Sequence, residues 1–204
     1  MTQLEALLQA SAVLHIHLCP RQILGVRMGM YAAEILRIEC PQTQKRLFTF
    51  VETDGCFADG ISVATGCTLG HRTLRLMDYG KVAATFVDTD AEQSIRIRPR
   101  LDVRSRAALC KPDERSRWHS QLEAYQVMPL DELFEVEAVF LSISIEDIIS
   151  RPGVRVNCSI CGEEILNERE SIIEGSMLCR ACTGDVYYHA ATGYPPMSKL
   201  ISKF

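Results

Sequence analysis

HIHLCPRQILGVRMGMYAAEILRI, running from His15 to Ile38, governs how this chain is built. Proline suits the first position of a helix, where its missing N–H would find no partner anyway, so Pro20 predicts a helix from there to about Ile38. Cys19 is then its N-cap. Apolar side chains fall on nearly every face (Ile23, Leu24, Val26, Met28, Met30, Tyr31, Ile35, Leu36), which predicts a central helix covered by other elements. Gly25 and Gly29 share one face, and without side chains they let a second backbone come close.

To either side of this helix, Leu4 to Leu14 reads as a short helix and RLFTFVET (Arg46 to Thr53) as a strand. Cys56 to about Thr65 suits a helix beginning beside a turn glycine. HRTLRLM, KVAATFVD and SIRIRP read as strands divided by Asp-Tyr-Gly and Asp-Thr-Asp turns. Pro112 to about Met128 returns to helix, and Phe134 to Ile143 reads as a last strand. Short connections between strands predict an α+β core of helices packed on a mostly antiparallel sheet, not a doubly wound parallel one. Pro152-Gly153 interrupts the pattern, so the expected domains are residues 1–150 and a small four-cysteine module over 155–204.

The 204 residues are 47% hydrophobic and 24% charged, with a net charge of −4, which describes an ordinary globular protein. That charge argues against a surface built to track nucleic acid. The exception is Arg96 to Arg117, where eight Arg or Lys face only Asp102, Asp113 and Glu114; it reads either as an anion-holding patch or as a solvated surface laced with salt bridges. No apolar run is long enough to span a membrane, and MTQLEALLQASAVLH has neither a basic leader nor a cleavage pattern, so a cytoplasmic protein is expected. Walker, GxGxxG, HExxH and GxSxG motifs are missing, which leaves nucleotide-dependent, zincin and α/β-hydrolase chemistry unsupported.

Four of the nine cysteines form two pairs, Cys158-x2-Cys161 and Cys179-x2-Cys182, with seventeen residues between the pairs. That spacing is the signature of a structural zinc site, in which two tight turns each present two thiolates to a tetrahedral ion. A module this small needs such a staple. Glu164 to Glu174 suits a hairpin, and Cys182 is expected to open a helix over Thr183 to Ala190, as in a treble-clef finger. Arg155 to Phe204 carries five Lys or Arg against six Asp or Glu, so the finger is expected to serve as scaffold or protein contact and not to bind DNA or RNA.

A second constellation surrounds Cys19. At a helix N-cap its sulfur meets the positive end of the helix dipole, which favours thiolate. His17 projects to the same side of an extended chain, as does His15. Cys56 and Asp59 stand at the start of another helix. Cys67 is eleven residues beyond Cys56, about 16 Å along a continuous helix, so Cys67 and Asp59 rank below His17, Cys19 and Cys56 as site residues. These side chains suit a second transition metal or a thiol centre, and equally the packing of buried free cysteines.

Taken together, His17-x-Cys19-Pro20, Gly25, Glu52, Cys56, Asp59, Gly66-Cys67-Thr68-Leu69-Gly70 and Gly80-Lys81, followed by four cysteines, resemble the FmdE family of formylmethanofuran dehydrogenase proteins, in its variant with a C-terminal treble-clef zinc finger. The resemblance implies an α+β core that forms a homodimer, with a metal, redox or catalytic site carried over onto His17, Cys19 and Cys56, and with Asp59 and Cys67 nearby. It implies an accessory role, beside an oxidoreductase complex, in one-carbon metabolism of the methanogenic type. Arg21 stands where the family usually has glycine. The competing reading is a non-catalytic assembly or regulatory module that docks a protein partner through the finger.

Overall fold

Pro20 begins a helix as expected, and the elements around it arrange themselves against that helix. The computed structural model describes residues 1–15, 17–149 and 151–189. The chain divides into two units, Met1–Ser142 and Ile143–Phe204, a few residues ahead of the Pro152-Gly153 interruption.

In the first unit, helix α1 (Gln3–Val13) opens with a reciprocal cap. Thr2 Oγ1 accepts from the Glu5 N–H and the Glu5 carboxylate accepts from the Thr2 N–H. Helix α2 (Pro20–Leu36) follows. Its buried Gln22 ties the two helices: Oε1 accepts from the Cys19 N–H at 2.9 Å and Nε2 donates to the Ser11 carbonyl at 2.8 Å. Ile23, Val26, Met28 and Ala32 of α2 are fully buried, as its all-round apolar pattern predicts.

Strand β1 (Leu47–Val51), helix α3 (Cys56–Thr65) and strands β2 (Leu74–Leu76), β3 (Ala84–Asp88) and β4 (Gln93–Pro99) come next. Helices α4 (Val103–Cys110), α5 (Arg117–Val127) and α6 (Leu130–Leu133) precede strand β5 (Phe134–Ala138). The sheet order is β2-β1-β3-β4-β5, with β1 and β2 parallel and the other neighbours antiparallel, so the core is α+β on a mostly antiparallel sheet. All five residues of β1 are buried. Helix α4 has no counterpart in the sequence pattern: only Val103 and Ala107, one turn apart, are buried, too thin a stripe to stand out among its charges.

Helices α2 and α3 touch backbone to backbone. A Cβ on Gly25 would lie 2.3 Å from the Phe57 carbonyl oxygen, and one on Gly60 would lie 2.4 Å from that of Gln22. Only glycine permits such an approach. Helix α3 ends at Gly66, in the left-handed conformation at φ 76°.

The second unit holds helix α7 (Ile145–Ile149) and two hairpins, β6 (Arg155–Asn157) with β7 (Glu164–Leu166) and β8 (Ser171–Ile173) with β9 (Ser176–Leu178). The expected single hairpin over Glu164 to Glu174 is therefore two half-hairpins, each one delivering a cysteine pair. The helix expected from Thr183 is a turn that stops at Gly184, whose φ of 102° redirects the chain; Ala190 lies outside the described residues. Cys158, Ile165 and Leu178 make the module's small buried cluster. Among the described residues, no helix is long and apolar enough to cross a membrane.

Candidate metal centres

The turn between β6 and β7 carries Cys158 and Cys161, and the chain leaving β9 carries Cys179 and Cys182. Hydrogen bonds from Gly162 N–H to the Cys158 carbonyl (2.9 Å) and from Ser159 N–H to the Met177 carbonyl (2.9 Å) fix the two turns against each other. The four sulfurs all lie within 4.8 Å of one another, with Cys161 and Cys179 at 3.9 Å. A tetrahedron with Zn–S bonds of about 2.3 Å has edges of about 3.8 Å, so the donor set fits a tetrahedral ion of this kind.

Local hydrogen bonds suit thiolates. The Cys179 N–H donates to Cys158 Sγ and the Cys182 N–H to Cys179 Sγ, each at 3.4 Å. Backbone N–H groups of Cys161 and Cys179 bring the Cys158 thiol down to about 6. Hydrogen bonding to Cys179, burial and the remaining sulfurs push Cys182 up to about 12, because a fourth negative charge is unwelcome until a cation shares the site.

In the first unit, the Gly25–Gly60 contact sets the starts of α2 and α3 side by side. Cys19, the N-cap of α2, and Cys56, the first residue of α3, consequently hydrogen-bond thiol to thiol. Burial and this neighbour raise the Cys56 thiol above its ordinary value, with Asp59 adding to the effect. Asp59, one turn along α3, meets His15: Nε2 to Oδ2 is 2.6 Å, with both side chains partly exposed. His15 thus joins the site more directly than the sequence suggested, through a carboxylate whose position depends on α3. The sequence signal for it is the shared side of residues 15, 17 and 19.

His17 is exposed and faces Trp118 at the start of α5, their ring centroids 6.4 Å apart. Among the described residues, the finger cysteines are the group with three or more donor atoms within 4.8 Å of one another, so His17 does not close to that distance on both core thiols. Cys67 is elsewhere. Fully buried beyond the Gly66 turn, its thiol donates to the Leu47 carbonyl at 3.3 Å and accepts from Thr49 Oγ1 at 3.4 Å, which makes it part of the packing under β1. Glu52 is also structural here: its carboxylate takes Arg96 in a two-pronged pair at 2.6 and 2.9 Å.

The family model described as "FmdE, Molybdenum formylmethanofuran dehydrogenase operon" matches residues 14–135. The chain belongs to the FmdE family. Its FmdE domain thus takes in both core thiols, the α2–α3 crossing and the sheet, while the four-cysteine module lies outside the match. A solved relative in fold, the FmdE-like tungsten formylmethanofuran dehydrogenase protein from Syntrophus aciditrophicus, superposes with a TM-score of 0.57 over 91% of this chain and 95% of that one. At 17% identity, this likeness speaks to the fold. A "Probable S-adenosyl-L-methionine-binding protein" from Archaeoglobus fulgidus is 37% identical over 99 residues, 47% of this chain. The matched part spans about a quarter of that relative (27%).

Proposed function

We propose that this FmdE-family chain is a two-metal protein: a structural zinc in the C-terminal finger and a second, thiolate-bound transition metal in the core. The observation that carries the reading is the pairing of Cys19 and Cys56 at two adjoining helix starts. Two sulfurs held this way suit a soft or borderline ion. In this reading His17 supplies a third ligand from the chain just ahead of Cys19, and the His15–Asp59 pair stands next to the ion, where it holds or moves a proton for a bound molecule. An open coordination position would then serve redox or ligand chemistry, in an accessory role to one-carbon metabolism, with the chain acting as a homodimer in the cytoplasm. S-adenosyl-L-methionine, taken from the name of the Archaeoglobus relative, is the first organic molecule to test on the metal-loaded protein.

Metal content per chain tests this directly. Two equivalents are expected in the native chain, one after Cys158 and Cys161 are replaced by serine, and none when Cys19→Ser is added. Zero residual metal in the chain lacking the finger cysteines would overturn the core centre.

A second reading, a protein-docking module, has its own support in the apolar surface of the second unit. Ile160 and Ile172 are about two-thirds exposed and Tyr187 is 97% exposed. On that reading Cys19→Ser leaves both metal content and partner capture unchanged.

A further inference from the structure

The basic run from Arg96 to Arg117 separates into two groups. Arg96 is held by Glu52 and Glu137, Arg98 by Glu135 at 2.5 Å and Arg106 by Asp102 at 2.8 Å, so these three are neutralised in place. Arg100 and Arg104 behave differently. Together with Arg21 they line a cavity of about 280 Å³ between the first turn of α2, the start of α4 and one face of α5.

The charge in this cavity is not balanced. Among the described residues, neither Arg21 nor Arg104 forms an ion pair with a carboxylate, whereas their neighbours in the same run do. Arg100 Nε is buried and makes no hydrogen bond. Asp102 Oδ1 lies 3.5 Å from it, outside hydrogen-bond geometry, and Asp102 is already engaged with Arg106. A buried N–H left in this state is costly, and a ligand oxygen would relieve it. Gln121 and Tyr125, on one face of α5, add a polar and an aromatic wall. Three guanidiniums around one shared carboxylate leave an excess of positive charge, and the flat fork of each guanidinium is shaped to grip two oxygens of one anion. A phosphate ester, at roughly −2 near neutral pH, matches this better than a single carboxylate.

Pro20 also lines the cavity, and it is bonded directly to Cys19. The cavity therefore begins one residue from the core thiols. Its volume is at the lower edge of the roughly 300–1,000 Å³ typical of small-molecule sites, room for a phosphate and the few atoms attached to it.

We propose that Arg21, Arg100 and Arg104 form the binding site for the phosphate group of a small organic ligand, whose other end lies at Cys19 and Cys56. The second clause rests on the reading of the core centre given above; the phosphate site stands on its arginines alone.

Trp118, the single tryptophan, sits on α5 three residues before Gln121 and serves as the reporter. Inorganic phosphate is titrated into the full chain at ionic strength held constant with chloride, followed by Trp118 fluorescence and by ³¹P line width. Saturable binding is expected, weakened about tenfold or more by Arg21→Gln and by Arg104→Gln. Arg98→Gln, which removes the same charge from the same run, is expected to change it less than about twofold, since an exposed, already paired charge acts weakly. Retained phosphate binding in the folded Cys19→Ser, Cys56→Ser chain supports the arginine site independently of any metal. Absence of saturation, an equal loss in Arg98→Gln, or tighter binding of malonate than of phosphate would each overturn it. For the link to the thiols, glycerol phosphate is expected to slow alkylation of Cys19 and Cys56 by iodoacetamide, mapped by mass spectrometry. Unchanged alkylation rates at saturating glycerol phosphate would break that link.

Discussion

Replacing Gly25 by alanine sets two ordinary effects against each other, and the α2–α3 crossing settles the sign. In an open helix the change stabilises by about 1 kcal/mol, because alanine loses less backbone freedom than glycine. Here the new Cβ would lie 2.3 Å from the Phe57 carbonyl oxygen, about 1.1 Å inside the 3.4 Å of ordinary contact, and also 3.0 Å from Ile61 N and 3.1 Å from Gly60 Cα. All three obstacles are backbone atoms of α3, so no side chain can swing aside. Overpacking of a tight core costs about 1–3 kcal/mol, and a backbone obstacle calls for the upper part of that range or beyond. A net loss of about 2 kcal/mol is expected. Guanidinium unfolding followed by Trp118 fluorescence reads it, because Trp118 belongs to the first unit. The contact also sets Cys19 beside Cys56, so metal retention in the core should weaken in parallel. Gly29→Ala offers a graded comparison: its obstacles are the Ala64 Cβ at 2.7 Å and the Thr65 Cγ2 at 3.2 Å, side-chain atoms that yield more easily, and a smaller loss is expected. A Gly25→Ala chain as stable as the native one, or more so, would contradict this account of the crossing.

Three further outcomes are expected. Arg27 donates to the carbonyls of Tyr125, Gln126 and Met128, each at 2.8 Å, closing the end of α5, and burial lowers its pKa. Arg27→Met should cost about 2–3 kcal/mol in urea unfolding, since hydrogen bonds to a charged group are involved. Asp88, fully buried, is held below the usual carboxylate range by its hydrogen bonds from Arg46. A depressed native pKa means that its contribution is complete above about pH 4, the ordinary aspartate value, and is lost as the pH falls through the native one. Asp88→Asn should therefore be less stable than the native chain at pH 6, with the gap narrowing toward pH 3 in urea titrations. Finally, chelation or Cys161→Ser should remove one metal equivalent and leave residues 155–182 unprotected in hydrogen exchange, because a buried cluster of Cys158, Ile165 and Leu178 is too small to hold the module alone.

Much of this was written into local sequence. Pro20 determines where α2 starts, and with it the N-cap position of Cys19. The apolar side chains all around that helix predict its burial, and Gly25 predicts a close crossing. The two CxxC pairs define a metal site because each pair lies within one turn and needs no distant partner to take shape. Local pattern was silent where chemistry depends on distant elements. Whether Cys19 meets Cys56, and whether His15 or His17 meets Asp59, depends on how α3 lies across α2, a relation between segments about forty residues apart. Cys67 shared the residue type of the core thiols, yet the Gly66 turn takes it under β1, where hydrogen bonds with Leu47 and Thr49 absorb it. Helix α4 escaped the pattern because two buried side chains carry no visible period.

The arginines show the same division. Composition alone registers a basic run from Arg96 to Arg117 and leaves open whether it is a ligand patch or a set of salt bridges. Tertiary structure sorts it residue by residue, since an arginine's role depends on which carboxylates the sheet and helices bring within reach. Arg96, Arg98 and Arg106 find theirs; Arg104 does not, and Arg100 shares an Asp102 already taken. Arg21, a neighbour of the core cysteine by sequence, becomes a neighbour of these two only because α2 and α4 begin at the same cavity. Short-range geometry and residue chemistry set the elements and the finger; the long-range packing of α2, α3 and α4 determines which thiols, imidazoles and guanidiniums can act together.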